Sequence, residues 1–258
     1  MDYLQKLLWR ARPYERQAGA ADALFADYTQ QLAGRVRRKE NLGDVMRQAA
    51  ADFRALIDPA QPRRPRVGIN GEIFLRANRF SNRDLVGVCE AAGLEVVVSP
   101  LGEWFKYVAC RNVEDAVQDR KWAKTVGAYL KTLIQERDER VIAALCGDLA
   151  GERELSTAEL LARSARWLSP SCGSEAVLSL GSAVEWLEHP EFAGVISVMP
   201  HGCMPGGIVA AMSEKLSSRY GKPWINLTYD GSMETNNLAR ISNFAEVILF
   251  SRLSTGLR

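Results

Sequence analysis

The sequence has few of the residues from which self-contained metal and nucleotide sites are built. It contains two histidines in 258 residues, and its five cysteines are scattered without a CxxC pair. It has no HExxH motif, no GxxxxGKS/T loop, and no GxGxxG motif after a predicted strand. These absences argue against a histidine-based metal site, a zinc knuckle, a disulfide framework and an ATPase or dinucleotide-binding site.

Charge and hydropathy point away from nucleic-acid and membrane partners. The formal net charge is +2, and the basic residues are mostly interleaved with acidic ones, whereas phosphate binding favours a concentrated positive face. No stretch approaches the roughly 20 apolar residues that span a bilayer. The first residues also lack the charged-then-apolar layout of a signal peptide. We therefore expect a cytoplasmic protein that binds neither nucleic acid nor a membrane.

A proline-rich segment divides the sequence into two parts. Residues 59–65 contain three prolines, which a helix cannot accommodate, so this segment is the predicted linker. Residues 1–62 have apolar positions at helical spacing and are predicted to form a helical segment. Residues 66–258 are predicted to form an α/β domain, with a helical insertion at about 103–165.

Strands and helices alternate in this second part. Predicted strands lie at residues 67–74, 95–100, 194–200 and 223–230, and helices are predicted between them. Continuous apolar strands with intervening helices indicate a parallel sheet covered on both faces. The predicted fold class is therefore α/β, a parallel sheet flanked by helices of the Rossmann or flavodoxin-like kind.

The loop after the third strand carries the most informative cysteine. Cys203 lies in a turn rich in glycine and proline, directly after a buried strand and at the start of a predicted helix. Ligands of open α/β sheets bind at the carboxyl ends of the strands, and backbone N–H groups at a helix start favour a thiolate. Chemistry alone leaves a metal-bound thiolate, a nucleophilic thiol and a small residue packed in a turn as alternatives.

The sequence around Cys203 resembles a known family. Residues 198–207 are similar to the MPFxCMPG element of the 2-hydroxyacyl-CoA dehydratase and benzoyl-CoA reductase family and its activase-linked relatives. Five further blocks follow the family order: RPYE…G…D at 12–22, VGIxGEIxxRxN at 67–78, GxEVxxSPxxEW at 93–104, GEAxLSxGxA at 173–183, and YDGxxxTNxxxR at 229–240. Each block is weak alone, but six in order are fairly specific.

The resemblance implies an iron–sulfur protein. Family members bind a 4Fe-4S or related cluster through cysteines, and an ATP-hydrolysing activator supplies single electrons for radical dehydration or reduction of a CoA thioester. It marks Cys203 as a cluster ligand, with Gly202, Met204 and Gly206 beside the cluster. Amide N–H groups in this loop would hydrogen-bond to sulfur and tune its potential.

Other residues of the strand-end loops have two interpretations each. Glu72 could line the pocket or bond loop amides, and His201 could be a partner of Cys203 or an ordinary loop histidine. Asp230 and Asn236 are predicted either to line the substrate pocket or to fix their loop through side-chain-to-backbone bonds. Cys172, just before the GEA element, is the one plausible second ligand. The remaining cysteines are predicted to lie in the core: Cys89, Cys110 and Cys146.

The sequence departs from the family because it lacks the amino-terminal α/β domain that contributes cluster cysteines. We therefore expect a cluster-bearing partner subunit or a homo-oligomer to supply further ligands. The alternative is a non-catalytic α/β partner or scaffold without a complete cluster. A third possibility is a thiol-dependent or small-molecule-binding α/β protein without a metal.

Overall fold

A computed structural model describes residues 1–118, 122–151, 154–231 and 236–255. The helices are α1 (Asp2–Ala11), α2 (Ala20–Arg38), α3 (Gly43–Leu56), α4 (Ile73–Ala77), α5 (Leu85–Ala91), α6 (Leu101–Gln118), α7 (Trp122–Cys146), α8 (Thr157–Ser164), α9 (Ser174–Glu188), α10 (Met204–Tyr220) and α11 (Asn237–Thr255). The strands are β1 (Arg66–Gly71), β2 (Glu95–Val98), β3 (Phe192–Pro200) and β4 (Trp224–Tyr229).

The chain divides into two compact units. The first contains Met1–Pro62 and Phe105–Glu154, and the second contains Arg63–Trp104 and Leu155–Arg258. The first division falls inside the proline-rich segment. The central part of the predicted helical insertion groups with the amino-terminal helices, while α8 groups with the sheet.

The first unit is helical, and its interior combines an apolar core with a charged cluster. Leu4, Leu7 and Phe53 are fully buried between helices because they share the inward faces of α1 and α3. The Lys106 ammonium is also buried, and it donates to Glu139 at 2.9 Å and to Glu154 at 3.3 Å. A second lysine, Lys6, also pairs with Glu154.

These ion pairs determine the pKa values of the cluster. Burial alone would raise the pKa of Glu154, but the charges of Lys6 and Lys106 outweigh burial and lower it. Burial alone would lower the pKa of Lys106, but Glu154 and Glu139 outweigh burial and raise it. The charged forms are therefore the stable ones in the folded unit.

The second unit contains a four-stranded parallel sheet in the order β2-β1-β3-β4, with β2 and β4 as the edges of the described sheet. In the register, Ile69 lies between Val98 on one side and Ile196 on the other. Helices α9 and α10 pack on one face, where Val195 belongs to their apolar cluster. The other face meets α5 and α11, and a Cβ on Gly194 would lie 2.8 Å from Phe244. The predicted α/β fold class is confirmed.

The last helix is longer than the prediction. The last helix was predicted at 235–244, but α11 continues to Thr255 because Ile241, Ala245 and Ile248 extend its buried face at helical spacing. Residue 235 lies outside the described residues. Among the described helices, none is long and apolar enough to cross a membrane.

Candidate functional site

The strand order places a crevice between the carboxyl ends of β1 and β3. The chain leaves β1 toward β2 and leaves β3 toward β4, so the connections diverge in opposite directions from this pair of neighbouring strands. Such a switch point is where open α/β sheets bind ligands. The pocket found here has about 240 Å³ of empty space, including the part open to solvent.

Cys203 lies at the rim of this pocket as the N-cap residue of α10. Its Sγ accepts the N–H of Gly206 at 3.4 Å, and its side chain is half-buried. Strand β3 ends three residues earlier at Pro200, whose carbonyl accepts the Cys203 N–H at 3.2 Å. A sulfur in this place faces the unsatisfied N–H groups of a 17-residue helix, which favour negative charge.

Two glycines shape the turn that carries Cys203. Gly202 has a φ of +74°, the left-handed region in which a side chain is strained. Gly206 lies so close to β3 that a Cβ there would be 2.7 Å from the Cβ of Met199. This close approach sets the position of the first turn of α10. Met204, in contrast, is 73% exposed and does not line the pocket.

Glu72 lines the pocket and also bonds backbone amides. Its carboxylate accepts the N–H of Phe74 at 3.2 Å and that of Leu75 at 2.7 Å, which caps the short helix α4. Its own N–H donates to the carbonyl of Val198 at 2.9 Å. The two interpretations of Glu72 are thus compatible, because a carboxylate with both oxygens engaged is held beside the crevice.

Glu175 is a pocket residue that sequence reasoning missed. It lies in the first turn of α9, and its Oε1 accepts the N–H of Ile73 at 3.3 Å. Burial raises the pKa of Glu175, and the negative charge of Glu72 adds to this effect, while the Ile73 N–H and the charge of Arg76 act in the opposite direction. Glu175 lies inside the GEAxLSxGxA block, but an acidic residue in the first turn of a helix is common, and the block alone did not single it out as a pocket residue.

The pocket floor rests on a buried polar layer. The Ser197 hydroxyl donates to Asn70 Oδ1 at 2.6 Å and accepts the indole N–H of Trp224 at 2.9 Å. The Asn70 amide in turn donates to the carbonyl of Ser179 at 2.8 Å. These bonds join β1, β3, β4 and α9 beneath the pocket. Because Asn70 and Ser197 are fully buried, each polar atom needs its partner.

The other predicted site residues lie away from the pocket lining. Cys172 is exposed in the turn before α9, and His201 is exposed after β3, where its backbone N–H donates to Tyr229 at 3.0 Å. Asp230 and Asn236 are both exposed, and residues 232–235 of their loop lie outside the described residues.

The structure gives the loop-fixing role to the neighbouring Asn237. This residue is 6% exposed, and its side-chain amide donates to the carbonyl of Thr228 at 2.9 Å. Of the cysteines predicted to lie in the core, Cys89 and Cys146 are fully buried and Cys110 is half-buried. Burial raises the pKa of Cys146 to about 11, which disfavours a thiolate there.

Fold and pocket together define a class: a parallel α/β protein with a thiol and two carboxylates at the switch point of its sheet. Comparison of the chain with protein-family models, with curated proteins and with solved structures found no match. The assignments below therefore rest on the pocket geometry and on the motifs in the sequence.

Proposed function

We propose that this chain is the Cys203-bearing α/β component of an iron–sulfur system resembling the 2-hydroxyacyl-CoA dehydratase and benzoyl-CoA reductase family. In this proposal Cys203 gives one thiolate to a 4Fe-4S or related cluster, and a partner chain or a second copy gives the others. An ATP-hydrolysing activator would supply electrons, and a CoA thioester would be the substrate class of the assembled system.

The position of Cys203 is the observation that carries the proposal. A cysteine that caps α10 at the switch point has an amide N–H on its sulfur and lies at the mouth of a pocket. Hydrogen bonds to sulfur and restricted solvent access are the means by which proteins tune iron–sulfur sites. The motif around Cys203 supports the same assignment.

The pocket by itself does not fit a complete cluster. Iron–sulfur clusters are held mainly by cysteine thiolates, typically four, and Cys203 is the one thiol among the pocket-lining residues. In the described parts of the chain, no group of three or more His, Cys, Asp or Glu side chains could hold a metal. Cluster ligands from another chain are therefore part of the proposal.

A second candidate function follows from the same finding. The lining residues beside Cys203 include the carboxylates Glu72 and Glu175, and carboxylates are poor replacements for thiolates at an iron–sulfur site. This favours a non-catalytic α/β scaffold that docks on a cluster-bearing chain without holding iron itself.

Iron binding under anaerobic conditions separates the two candidates. The tagged full-length chain is isolated anaerobically from its own cells together with any associated chain, and iron content, visible absorption and the electron paramagnetic resonance (EPR) spectrum are measured. We expect a cluster signal in the assembly that is lost or altered in Cys203→Ser. The matched control, Cys110→Ser, changes a half-buried cysteine of α6 and should leave the signal intact.

Each contrary outcome has a defined meaning. An assembly whose Cys203→Ser form keeps full iron and an unchanged EPR spectrum would overturn the ligand assignment and support the scaffold. The scaffold is also supported if neither the assembly nor the chain reconstituted with iron and sulfide becomes coloured.

A further inference from the structure

Large apolar side chains are exposed at the carboxyl edge of the sheet, where the switch-point pocket opens. The carboxyl ends of parallel strands share one edge, so the segments that follow the strands begin there. Each of the four strands is followed by at least one exposed apolar side chain. We call this set the apolar edge, and its members are Phe74 and Phe80 after β1, Leu101 after β2, Met204 after β3, and Leu238 after β4.

The apolar edge is large enough to form the centre of a protein interface. Its residues are between 37% and 93% exposed. Since a large apolar side chain has a surface of about 150–250 Å², they expose on the order of 600 Å² together. A stable interface buries about 800 Å² per partner, including its polar rim. Exposed apolar surface of this extent is typical of an interaction site.

Two thiols lie at the same edge of the sheet. Cys203 caps α10 at the mouth of the pocket. Cys172 is exposed in the turn before α9, three residues before the pocket residue Glu175. The Glu175 carboxylate accepts the N–H of Ile73, so the start of α9 lies beside α4, which carries Phe74. Each copy of the chain therefore presents two thiols close to the apolar edge.

The number of thiols indicates which partner covers this edge. A 4Fe-4S cluster is typically held by four thiolates, and one copy offers two of them here. Two copies related by a twofold axis present the same surface to each other, so a symmetric pair offers four. Exposed charges of both signs, Arg79 and Asp230, lie after the strands at this edge, so like charges do not exclude a second copy.

The charges around the pocket offset one another. The N-termini of α9 and α10 favour thiolates, and so does the buried Arg76 guanidinium, which donates to the carbonyls of Gly71 at 3.1 Å and Pro100 at 3.0 Å. Glu72 and Glu175 act in the opposite direction, although both carboxylates accept backbone N–H groups. The number of thiols, and not the charge of the pocket, therefore selects the second copy.

We propose that two copies of this chain pack face to face through the apolar edge, with Cys203 and Cys172 of both copies around one shared 4Fe-4S cluster. This inference rests on the proposed function and names the second copy as the source of the missing thiolates. The pairing covers Met204 beside Cys203 and Phe74 beside the start of α9, which restricts the access of water to the thiols. The pairing itself does not require iron, so it is tested with and without the metal.

The first test measures mass and iron in the chain alone. The full-length chain is produced without any other chain of its source and reconstituted anaerobically with iron and sulfide. Sedimentation equilibrium should give twice the chain mass of 28.6 kDa, with about two iron atoms per chain, which is one four-iron cluster per pair. Cys172→Ser should lose most of the iron, as should Cys203→Ser. The matched control Cys110→Ser should keep it.

The second test measures the pairing of the iron-free chain. Phe74→Glu places a charge in the apolar edge and should raise the Kd of the pair at least tenfold. The matched control is Phe250→Glu, because Phe250 is also exposed but lies in the second half of α11, about 20 Å along that helix from its start. This control should leave the Kd unchanged.

Three results would overturn the proposal. The first is a chain that stays monomeric, and the second is a pair that Phe74→Glu does not weaken. The third is a cluster that forms fully in Cys172→Ser, or that forms only when a different chain is present. In that last case the proposed function stands without the second copy. If the copies pair but bind no iron, the shared cluster and the proposed function both fail, whereas the pairing stands.

Discussion

The two units keep polar groups in their interiors by different means. The helical unit buries the Lys106 ammonium among Glu139 and Glu154, so its interior polar contacts are ionic. The sheet unit also holds an ion pair, between Arg66 and the buried Glu95 at 2.9 Å, but beneath the pocket it buries the neutral side chains of Asn70 and Ser197, which are satisfied by hydrogen bonds. The strength of an ionic contact depends on pH, whereas the strength of a neutral hydrogen bond depends on the distance and angle between its two groups. The ion cluster of the helical unit therefore depends on the charge state of its members, while the layer under the pocket depends on the geometry of its hydrogen bonds.

The largest expected effect is in the apolar core of the helical unit. Phe53→Ala removes a fully buried ring and should lower the stability of that unit by about 3–5 kcal/mol, since it removes buried area and leaves a cavity. Hydrogen exchange of the α1–α3 amides measures this loss. Val36→Ala, at a position 60% exposed on α2, is the control and should change stability by less than about 0.5 kcal/mol. Equal effects of the two changes would refute the apolar core described here.

A smaller effect is expected in the polar layer of the sheet unit. Ser197→Ala leaves Asn70 Oδ1 and the Trp224 indole N–H without their partner, which should cost about 2–3 kcal/mol at any pH where the chain is folded. Urea unfolding followed by hydrogen exchange of β1 and β3 is the measurement. Ser213→Ala is the control with the smaller expected loss, because its partner Asn226 is only half-buried. If Ser197→Ala left the free energy of unfolding unchanged, the layer would not fix the pocket floor.

The smallest effect concerns the ion cluster, and it depends on pH. Glu154→Gln should cost the helical unit about 1–2 kcal/mol at neutral pH, since Lys106 keeps Glu139. The lowered pKa of Glu154 contributes stability above the ordinary value of 4.5, and this contribution is lost as the pH falls through the folded-state pKa. Urea unfolding at several pH values should therefore show that the free energy of unfolding falls less steeply with decreasing pH in Glu154→Gln than in the unchanged chain. If this dependence on acidic pH were the same in both chains, the cluster would not contribute to stability.

The base side of the same cluster has the opposite sign. The raised pKa of Lys106 contributes stability below its ordinary value of 10.5, and this is lost as the pH rises through the folded-state pKa. In Glu154→Gln, part of this loss of stability at alkaline pH should remain, because Lys106 still pairs with Glu139.

The sheet was predictable from sequence because its strands are continuous apolar runs bounded by glycine and proline. All four predicted strands are present, and Cys203 is at the helix start where the pattern placed it. The side of the pocket formed by α9 was not predictable. Glu175 and Ser179 look like ordinary helix residues until the strand order brings that helix over the ends of β1 and β3.

The choice between neighbouring asparagines also escaped sequence reasoning. Asn236 was predicted to fix the fourth loop, yet Asn237 is the one with its amide on Thr228. A shift of one residue in the start of α11 decides which side chain turns inward, and helix starts are uncertain by one or two residues from any pattern.

The bond from Asn237 occupies a backbone carbonyl at the outer edge of β4. The carbonyl of Pro223 accepts the N–H of Val195 in β3, and that of Tyr229 accepts the N–H of His201 just after β3, so the alternation of the strand turns the Thr228 carbonyl to the open edge of β4. An unpaired edge is a template for strand addition and, in the extreme, for cross-β fibrils. An intruding strand would have to displace the Asn237 amide before it could use the Thr228 carbonyl to pair with β4.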